Sequence, residues 1–527
     1  MTAATAPSEW TREPFRMGTA EEFERLREVL RGSGFVEADL CAACGVPTMH
    51  NFPIGEESRD VFRDPRDAQS VLVQLFLDCA SIPWEVARDV LPPAVREAIE
   101  GLGLLVASPR LPGGCEATVA LYPTNGVYIA SDRHVAGHTT GAHPPADLVY
   151  SAMTKETLHV LSLMPRTPCD AYLELCSGTG VAALIAGAHY AKRAVAIDVT
   201  ERSTRFARFN IALNALSNVT ALQGDLYAPA DDQTFDLIVA HPPYVPSFET
   251  EYVYRDGGED GEQVTRRVIA DLARHLRPGG QFYCDCMLSD RVDSTIEDRV
   301  RRMLGDHAGE FDVLIGESRS FEPVAYYADQ ARHGKISFSS IERRHDTFAR
   351  LGIQRFVSVS ILCGRRRSTR PVATARRLLS PATTRDDFQW LLRWSETTAA
   401  WDEAGALHLL DERPRANPHV ELRSRSSLRA GQWMVEECRL VTVRPFMVEV
   451  SCPNWVATLL TWCDGRATAR DHFARLLAMG LVPPGALDGF AVMLRQLVDS
   501  GVLEIDEGRL ARPGVRDSPS AQVVDAS

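Results

Sequence analysis

Residues 171–187 read AYLELCSGTGVAALIAG, and this stretch decides the fold. A short apolar run contains Glu174, the chain turns through Gly178-Thr179-Gly180, and small apolar residues then begin a segment of helical character. Glycines in such a turn let the backbone approach a ligand, and the N–H groups of the first helical turn favour a carboxylate or phosphate. Because structural turns share this pattern, the neighbouring sequence has to decide between a binding loop and a plain connection.

Three later apolar runs also end in polar or turning residues. The second run ends in Asp198, whose carboxylate could accept both hydroxyls of a ribose. The third is followed by Asp225 and Leu226, and the fourth leads into IVAHPPYVPS, residues 238–247. The prolines end that strand because they cannot donate to a sheet ladder. Ligands bind at the carboxyl ends of strands in open α/β sheets, so we expect His241 to lie at the same edge as both aspartates.

The spacing of apolar runs predicts a central α/β domain with flanking modules. Amphipathic segments of helical length separate short runs that read AYLEL, RAVAID, VTALQ, FDLIVA and GQFYCDC, a pattern typical of a doubly wound, Rossmann-like parallel sheet. A hairpin turn is predicted at Asn125-Gly126. The first part of the chain is predicted to contain a disordered terminus (1–13), an N-terminal α+β winged-helix-like cap module (14–147) and the α/β domain (148–366). An Arg-rich linker (367–384), a C-terminal mostly helical winged-helix-like docking module (385–512) and a disordered tail (513–527) are predicted to follow.

Composition narrows the class of partner. The 527 residues carry a net charge of −13, which disfavours a general grip on nucleic acid or on an anionic membrane. No apolar run approaches the roughly 18 residues of a membrane helix. The twelve cysteines are scattered through predicted core segments, with no secretory segment ahead of them. We therefore expect a reduced, cytoplasmic protein without membrane contact.

Metal binding is not expected from the cysteine and histidine spacing. Cys41 and Cys44 form a CxxC, but no second pair follows at zinc-ribbon spacing. His134, His138 and His143 share one loop that could ligate a metal, although solvated or core-satisfied histidines are the commoner interpretation. The sequence therefore predicts no metal site.

Motifs beyond the glycine turn point to a known family. The central segment resembles class I S-adenosylmethionine-dependent methyltransferases, within them the branch with an Asn/Asp-Pro-Pro-Tyr/Phe motif, which includes protein-glutamine and exocyclic-amine N-methyltransferases. That motif reads HPPY at 241–244, and RDGG at 255–258 and RPGG at 277–280 resemble later parts of the family. The resemblance covers residues 20–366 and implies a seven-stranded methyltransferase sheet with S-adenosylmethionine as cofactor.

The resemblance also implies a role for each strand end. The glycine loop would hold the methionine part of the cofactor, and the two aspartates its ribose and adenine. In the family, the Asn side chain and the first proline's carbonyl orient an acceptor –NH₂ while the aromatic residue stacks on it, and His241, Pro242 and Tyr244 would take these roles here. The residues expected to bind the cofactor are Glu174, Cys176, Gly178, Thr179, Gly180, Asp198, Asp225, Leu226 and His241.

His241 is the one departure from the family motif. A neutral imidazole offers a single acceptor nitrogen, and unlike an amide it can take a proton near neutral pH. It could orient an amino group or act as a general base. Alternatively, His241 only caps the strand end and Tyr244 only packs.

Three functions remain open from the sequence. The first is N-methylation of an amide or amine on a protein, peptide or carrier-bound acceptor. The second is a small-molecule O- or N-methyltransferase, or another tailoring enzyme that uses S-adenosylmethionine. The third is a noncatalytic scaffold that keeps the fold. An intact glycine loop with both aspartates argues against the scaffold, and the acidic net charge disfavours nucleic acid as the acceptor.

Overall fold

The computed structural model describes residues 14–53, 60–133, 144–332, 337, 339–367, 369–399 and 404–505. Three groups of predictions lie outside the described residues: the terminus 1–13, the tail 513–527, and the loop histidines His134, His138 and His143.

The N-terminal region combines short helices with small antiparallel β-units. Its helices are α1 (Ala20–Gly32), α2 (Glu37–Cys44), α3 (Ala68–Leu72), α4 (Trp84–Val90) and α5 (Pro93–Gly101). Its strands are β1 (Ser81–Pro83), β2 (Leu105–Ala107), β3 (Gly114–Ala117), β4 (Ala120–Thr124) and β5 (Val127–Ser131). Asn125 and Gly126, both at positive φ, connect β4 to β5. The predicted hairpin is confirmed, because the left-handed backbone of such a turn favours Asn-Gly.

The central region alternates strands and helices. Its helices are α6 (Lys155–Leu163), α7 (Val181–His189), α8 (Glu201–Leu213), α9 (Gln263–Ala270), α10 (Leu272–His275), α11 (Ile296–Met303), α12 (Pro323–Arg332) and α13 (Ser339–Arg350). Its strands are β6 (Cys169–Leu175), β7 (Ala191–Asp198), β8 (Val219–Gln223), β9 (Phe235–Ala240), β10 (Leu276–Arg291), β11 (Phe311–Phe321), β12 (Ile353–Arg365) and β13 (Thr374–Leu378).

These eight strands form one mixed sheet in the part of the chain that the structure describes, in the order β13-β11-β12-β10-β9-β6-β7-β8. The strands from β8 to β10 run parallel, whereas β12 is antiparallel to both β10 and β11. All five runs predicted as strands are present, and the α/β class is confirmed. The carboxyl ends of five neighbouring parallel strands therefore open along one edge.

The eighth strand corrects two predictions, a seven-stranded sheet and a linker at 367–384. β13 lies within that segment and pairs in parallel with β11. Its Arg376 contacts Asp290 at 2.9 Å and Glu317 at 2.7 Å, and Arg370, just before the strand, pairs with Asp312. The arginines thus meet carboxylates of the sheet, which lets a polar stretch add to its edge.

The C-terminal region is mixed. Its helices are α14 (Arg385–Thr398), α15 (Asn454–Leu460), α16 (Ala469–Ala478) and α17 (Leu487–Asp499), and its strands are β14 (Arg415–Ala416), β15 (Glu421–Arg429), β16 (Gln432–Thr442), β17 (Val448–Ser451) and β18 (Leu503–Glu504). Strands β15, β16 and β17 form an antiparallel sheet, and β14 pairs with β18. A winged-helix arrangement is confirmed in neither flanking region.

The central sheet is buried between two apolar layers, and successive residues of a strand alternate between them. Tyr172, Val239 and Tyr283 lie on the side whose core also includes the N-terminal and C-terminal regions. Leu173 and Ile238 face the opposite layer, which α9 and α11 cover. Among the described helices, none combines the length and apolar composition needed to span a bilayer.

Candidate active site

A cavity of about 1060 Å³ opens at the carboxyl ends of the parallel strands. Ligand pockets usually hold roughly 300–1,000 Å³, so this one has room for two reactants. The predicted site residues that line it are Glu174, Cys176, Gly178, Thr179, Asp198, Asp225, Leu226, His241, Pro242 and Tyr244. Gly180 lies behind them as the N-cap of α7.

The glycine turn is held by hydrogen bonds from neighbouring elements. Gly178 has a φ of 51°, a backbone conformation that favours glycine. Its N–H donates to Asp198 Oδ2 at 2.9 Å. The carbonyl of Thr179 accepts from Asn210 Nδ2 at 3.0 Å, and Asn210 also bonds both backbone groups of Ala130 in β5. Asn210 was missed from the sequence, because an Asn within an amphipathic helix carries no sign of its partners.

Asp198 accepts hydrogen bonds from both sides of the turn. Its Oδ1 accepts from the backbone N–H of Thr200 at 3.0 Å and from the Thr200 hydroxyl at 3.1 Å, while Oδ2 accepts from Gly178. A carboxylate has about four acceptor positions and three are used here, so Asp198 can still accept one hydroxyl group of a ligand.

Glu174 does not stand free beside the helix, contrary to the expectation that the first N–H groups of α7 are open. Its carboxyl accepts from the N–H of Ala182 at 3.2 Å and of Ala183 at 2.8 Å. Burial raises the pKa of Glu174 to about 8, an effect that these hydrogen bonds oppose and the charge of Asp198 reinforces. The carboxyl is therefore protonated near neutral pH until a cation arrives.

Asp225 lies at the rim of the cavity. Its Oδ2 pairs with Arg267 Nη2 at 2.6 Å, and both side chains are about half exposed. Arg267 comes from α9, and no motif in the sequence pointed to it. The pair closes one side of the cavity next to Leu226.

The HPPY segment, residues 241–244, forms a lip at the end of β9. Val245 donates to the carbonyl of Arg255, and Gly257 donates back to the carbonyl of Val245, both at 2.9 Å. Gly261 has a φ of 77°, and a Cβ there would stand 2.4 Å from the carbonyl oxygen of Tyr244. The glycine-rich loop thus packs its backbone directly against the lip.

Arg255 and Asp256 form an ion pair in the loop behind the lip. Arg255 Nε lies 2.8 Å from Asp256 Oδ1. The buried Asp256 also accepts from the N–H groups of Glu251 and Tyr252, both at 2.8 Å. The carboxylate of Asp256 therefore organises this loop.

His241 keeps an unused nitrogen. Its Nε2 is buried without a hydrogen-bond partner among the described residues. Burial lowers the pKa of His241, although the charges of Asp285 and Glu156 oppose that change. The ring is therefore neutral near pH 7 and able to take a proton, and it lies 5.8 Å from the Tyr244 ring, measured between centroids.

Three polar residues beside His241 were missed from the sequence. Ala240 pairs with Cys284 in the sheet, so Asp285 on β10 lies next to His241. Ser360 on β12 donates to Asp285 Oδ2 at 2.7 Å, and His159 Nε2 on α6 lies 3.5 Å from the same oxygen. The signal in the sequence was a lone carboxylate inside the apolar run GQFYCDC.

The cover of the cavity differs from the predicted cap. Among the described residues of 14–147, only Asp147 lines it. The wall is formed by the segment that follows and by α6. Tyr150 of that segment stacks on Tyr254 with 5.3 Å between ring centroids and 18° between planes.

Known proteins share this region. The model of the methyltransferase small domain family matches residues 150–304. A release factor glutamine methyltransferase from Moorella thermoacetica is 30% identical over 216 residues, which cover 36% of this chain and 76% of the relative. The chain belongs to the class I S-adenosylmethionine-dependent methyltransferases, in the glutamine methyltransferase branch. The methyl donor of this family is S-adenosylmethionine.

Other similarities are shorter or weaker. A ribosomal protein uL3 glutamine methyltransferase from Bradyrhizobium diazoefficiens is 35% identical over 131 residues, which cover 23% of this chain and 41% of the relative. The chain spans less than half the length of the first curated relatives it matches, 41% to 45%. A ribosomal protein L11 methylase structure from Lactobacillus delbrueckii subsp. bulgaricus has a TM-score of 0.23 and 17% identity, and the alignment covers 38% of this chain and 71% of that one.

The described residues fit S-adenosylmethionine chemically. Asp198 has one acceptor position left for a ribose hydroxyl, and Asp225 offers a carboxylate to an adenine amino group. The buried carboxyl of Glu174 would gain a counter-charge from an ammonium group. All three line one cavity, so a single extended ligand can reach them.

Proposed function

We propose that this chain is an S-adenosylmethionine-dependent N-methyltransferase that acts on an amide or amine of a protein or peptide. The observation that carries the proposal is one continuous cavity that joins the Gly178–Asp198 turn to the HPPY lip. A noncatalytic scaffold needs no acceptor space beside a nucleoside site. The relatives named above, whose substrates are a release factor and a ribosomal protein, support a protein acceptor.

In this proposal one group of residues binds the methyl donor and another orients the acceptor nitrogen. The sulfonium supplies a methyl group to an in-line nucleophile. Glu174, Asp198 and Asp225 hold the donor at one end of the cavity. Pro242 and His241 accept hydrogen bonds from the acceptor nitrogen and turn its lone pair toward the methyl group, while Tyr244 packs on the acceptor. Correct placement of two reactants can lower an activation barrier by several kcal/mol, roughly 7–11 kcal/mol at best.

The test has two steps and uses the full chain. Calorimetry with S-adenosylmethionine first measures cofactor binding. The chain is then incubated with methyl-labelled S-adenosylmethionine and an extract of source cells from which this protein has been deleted. The extract is afterwards divided into protein, nucleic-acid and metabolite fractions. Label in the protein fraction supports the proposal. Binding without label in any fraction favours the scaffold, and label in the metabolite fraction alone favours a small-molecule methyltransferase.

A further inference from the structure

The acceptor end of the cavity holds two carboxyl groups, those of Asp285 and Glu156, and burial raises the pKa of Asp285. Asp285 is nine-tenths buried, and within the described residues hydrogen bonds reach only its Oδ2. Glu156 lines the same part of the cavity. The charged or titratable groups whose fields reach His241 are these two carboxylates and His159. A buried carboxylate without a cation is costly, so this arrangement favours a positively charged ligand.

The cations of the cavity wall are placed elsewhere. Arg255 is paired with Asp256 at 2.8 Å. Arg319 lies over the ring of Phe321. Lys155 is exposed. Among the described residues, the two carboxyl groups beside the lip therefore form no ion pair with a lysine or arginine.

Two further features point to a ligand at this place. Nε2 of His241 is buried without a partner in the described part of the chain, and a buried unpaired polar atom costs about 1–3 kcal/mol. The rings of Tyr244, Tyr150 and Tyr254 line the same cavity. Aromatic faces attract ammonium ions within about 6 Å. A cation with N–H groups would satisfy the carboxylates, the imidazole and the rings together.

We propose that the methyl acceptor is an amine, bound as its ammonium ion between Asp285, Glu156 and His241, and not a carboxamide such as that of glutamine. This inference rests on the proposed function, because it names the acceptor of the same site. A neutral carboxamide would leave the two carboxyl groups of this end without a cation.

The reaction balances with groups on the page and the methyl donor. The ammonium gives one proton to an imidazole nitrogen of His241, which becomes an imidazolium beside Asp285. The freed lone pair then forms the N–CH₃ bond, the C–S bond breaks, and its electron pair stays on sulfur as a neutral thioether. The product leaves as a methylated ammonium ion, and His241 returns its proton to solvent.

Hydrolysis of the labelled protein fraction tests the acceptor class directly. Acid hydrolysis of an N-methylated carboxamide releases volatile methylamine, whereas N-methyl amino acids stay in the residue. Label in non-volatile amino acids supports the inference. Volatile methylamine overturns it and leaves the proposed function standing, and a protein fraction without label overturns both.

Variants locate the ammonium site. Loss of a charge-assisted contact in Asp285→Asn should raise the KM for the amine-bearing acceptor protein about tenfold or more. The affinity of the Asp285→Asn variant for S-adenosylhomocysteine should stay unchanged, and this measurement also shows that the variant folds. Glu156→Gln, at an exposed position, should act in the same direction without risk to folding, and Asp488→Asn on the distant α17 is the matched control. An unchanged KM in both cavity variants would overturn the inference.

Discussion

The two ends of the cavity are built in different ways. At the cofactor end, Gly178 and Asp198 are linked through a strand, a turn and a helix that follow one another in the chain. At the acceptor end, His241, Asp285 and Ser360 come from three different strands, and α6 adds a fourth side chain. The difference teaches that the proposed donor site is built from residues close together in the chain, whereas the proposed acceptor site depends on long-range assembly.

Asp198→Ala should produce the largest effect and break the cofactor end alone. The substitution removes the acceptor for Gly178, for Thr200 and for a ribose hydroxyl, each charge-assisted bond contributing about 1.5–3 kcal/mol. We expect S-adenosylmethionine affinity to fall about 10³-fold in calorimetry. Asp232→Ala, at an exposed position of the same domain, should bind like the parent chain. Retained affinity in Asp198→Ala would show that the nucleoside binds elsewhere.

His241→Ala should break the acceptor end alone. We expect label transfer to fall about 10²-fold or more, since a positioned acid–base group contributes roughly 10²–10⁴. Cofactor affinity should stay within about threefold of the parent value, because His241 is outside the Gly178–Asp198 hydrogen bonds. Full activity in this variant would mean that His241 only caps the strand.

Gly261→Ala should disturb the lip through its backbone. A Cβ at this position would stand 2.4 Å from the carbonyl oxygen of Tyr244 and would require a strained φ. We expect turnover to fall about tenfold with cofactor affinity unchanged, because small misplacements of a reacting group are costly. Gly485→Ala, where no atom lies within 4 Å of a built Cβ, is the control. Equal turnover in the two variants would show that the packing of Gly261 against Tyr244 does not affect the reaction.

A smaller effect should appear in the pH dependence of cofactor binding. The pKa of Glu174 is about 8, so the free carboxyl is protonated below that pH and must lose its proton when an ammonium binds. S-adenosylmethionine affinity should therefore rise between about pH 6 and pH 8, by at most about tenfold per unit, and level off above. Glu174→Gln should lose this slope. Methylthioadenosine, which lacks the amino-acid part, should show none, and an identical slope for both ligands would contradict the role of Glu174.

The sequence predicts for a physical reason that the residues of the proposed cofactor end lie together. Apolar runs of strand length, a glycine turn and a terminal acid are adjacent in the chain, so their order alone places Gly178, Asp198 and Asp225 on one edge of the sheet. What the pattern could not show is the use of the helix N–H groups by Glu174, because that depends on the rotation of α7 over β6.

The acceptor end and the sheet edge are harder to predict. Asp285 lies within an apolar run, and its partners Ser360 and His159 lie 75 and 126 residues away in the sequence. The segment that holds β13 resembles a linker because its arginines look solvated until the carboxylates of Asp290 and Glu317 are known to face them. Both errors concern charges whose partners are distant in the chain.

The most direct test of the shared cavity is the crystal structure of the full chain with S-adenosylhomocysteine bound. We expect a ribose hydroxyl on Asp198, the adenine beside Asp225, and the sulfur facing His241 across open space large enough for an acceptor group. A nucleoside bound outside this cavity, or a sulfur atom turned away from the lip, would contradict the account.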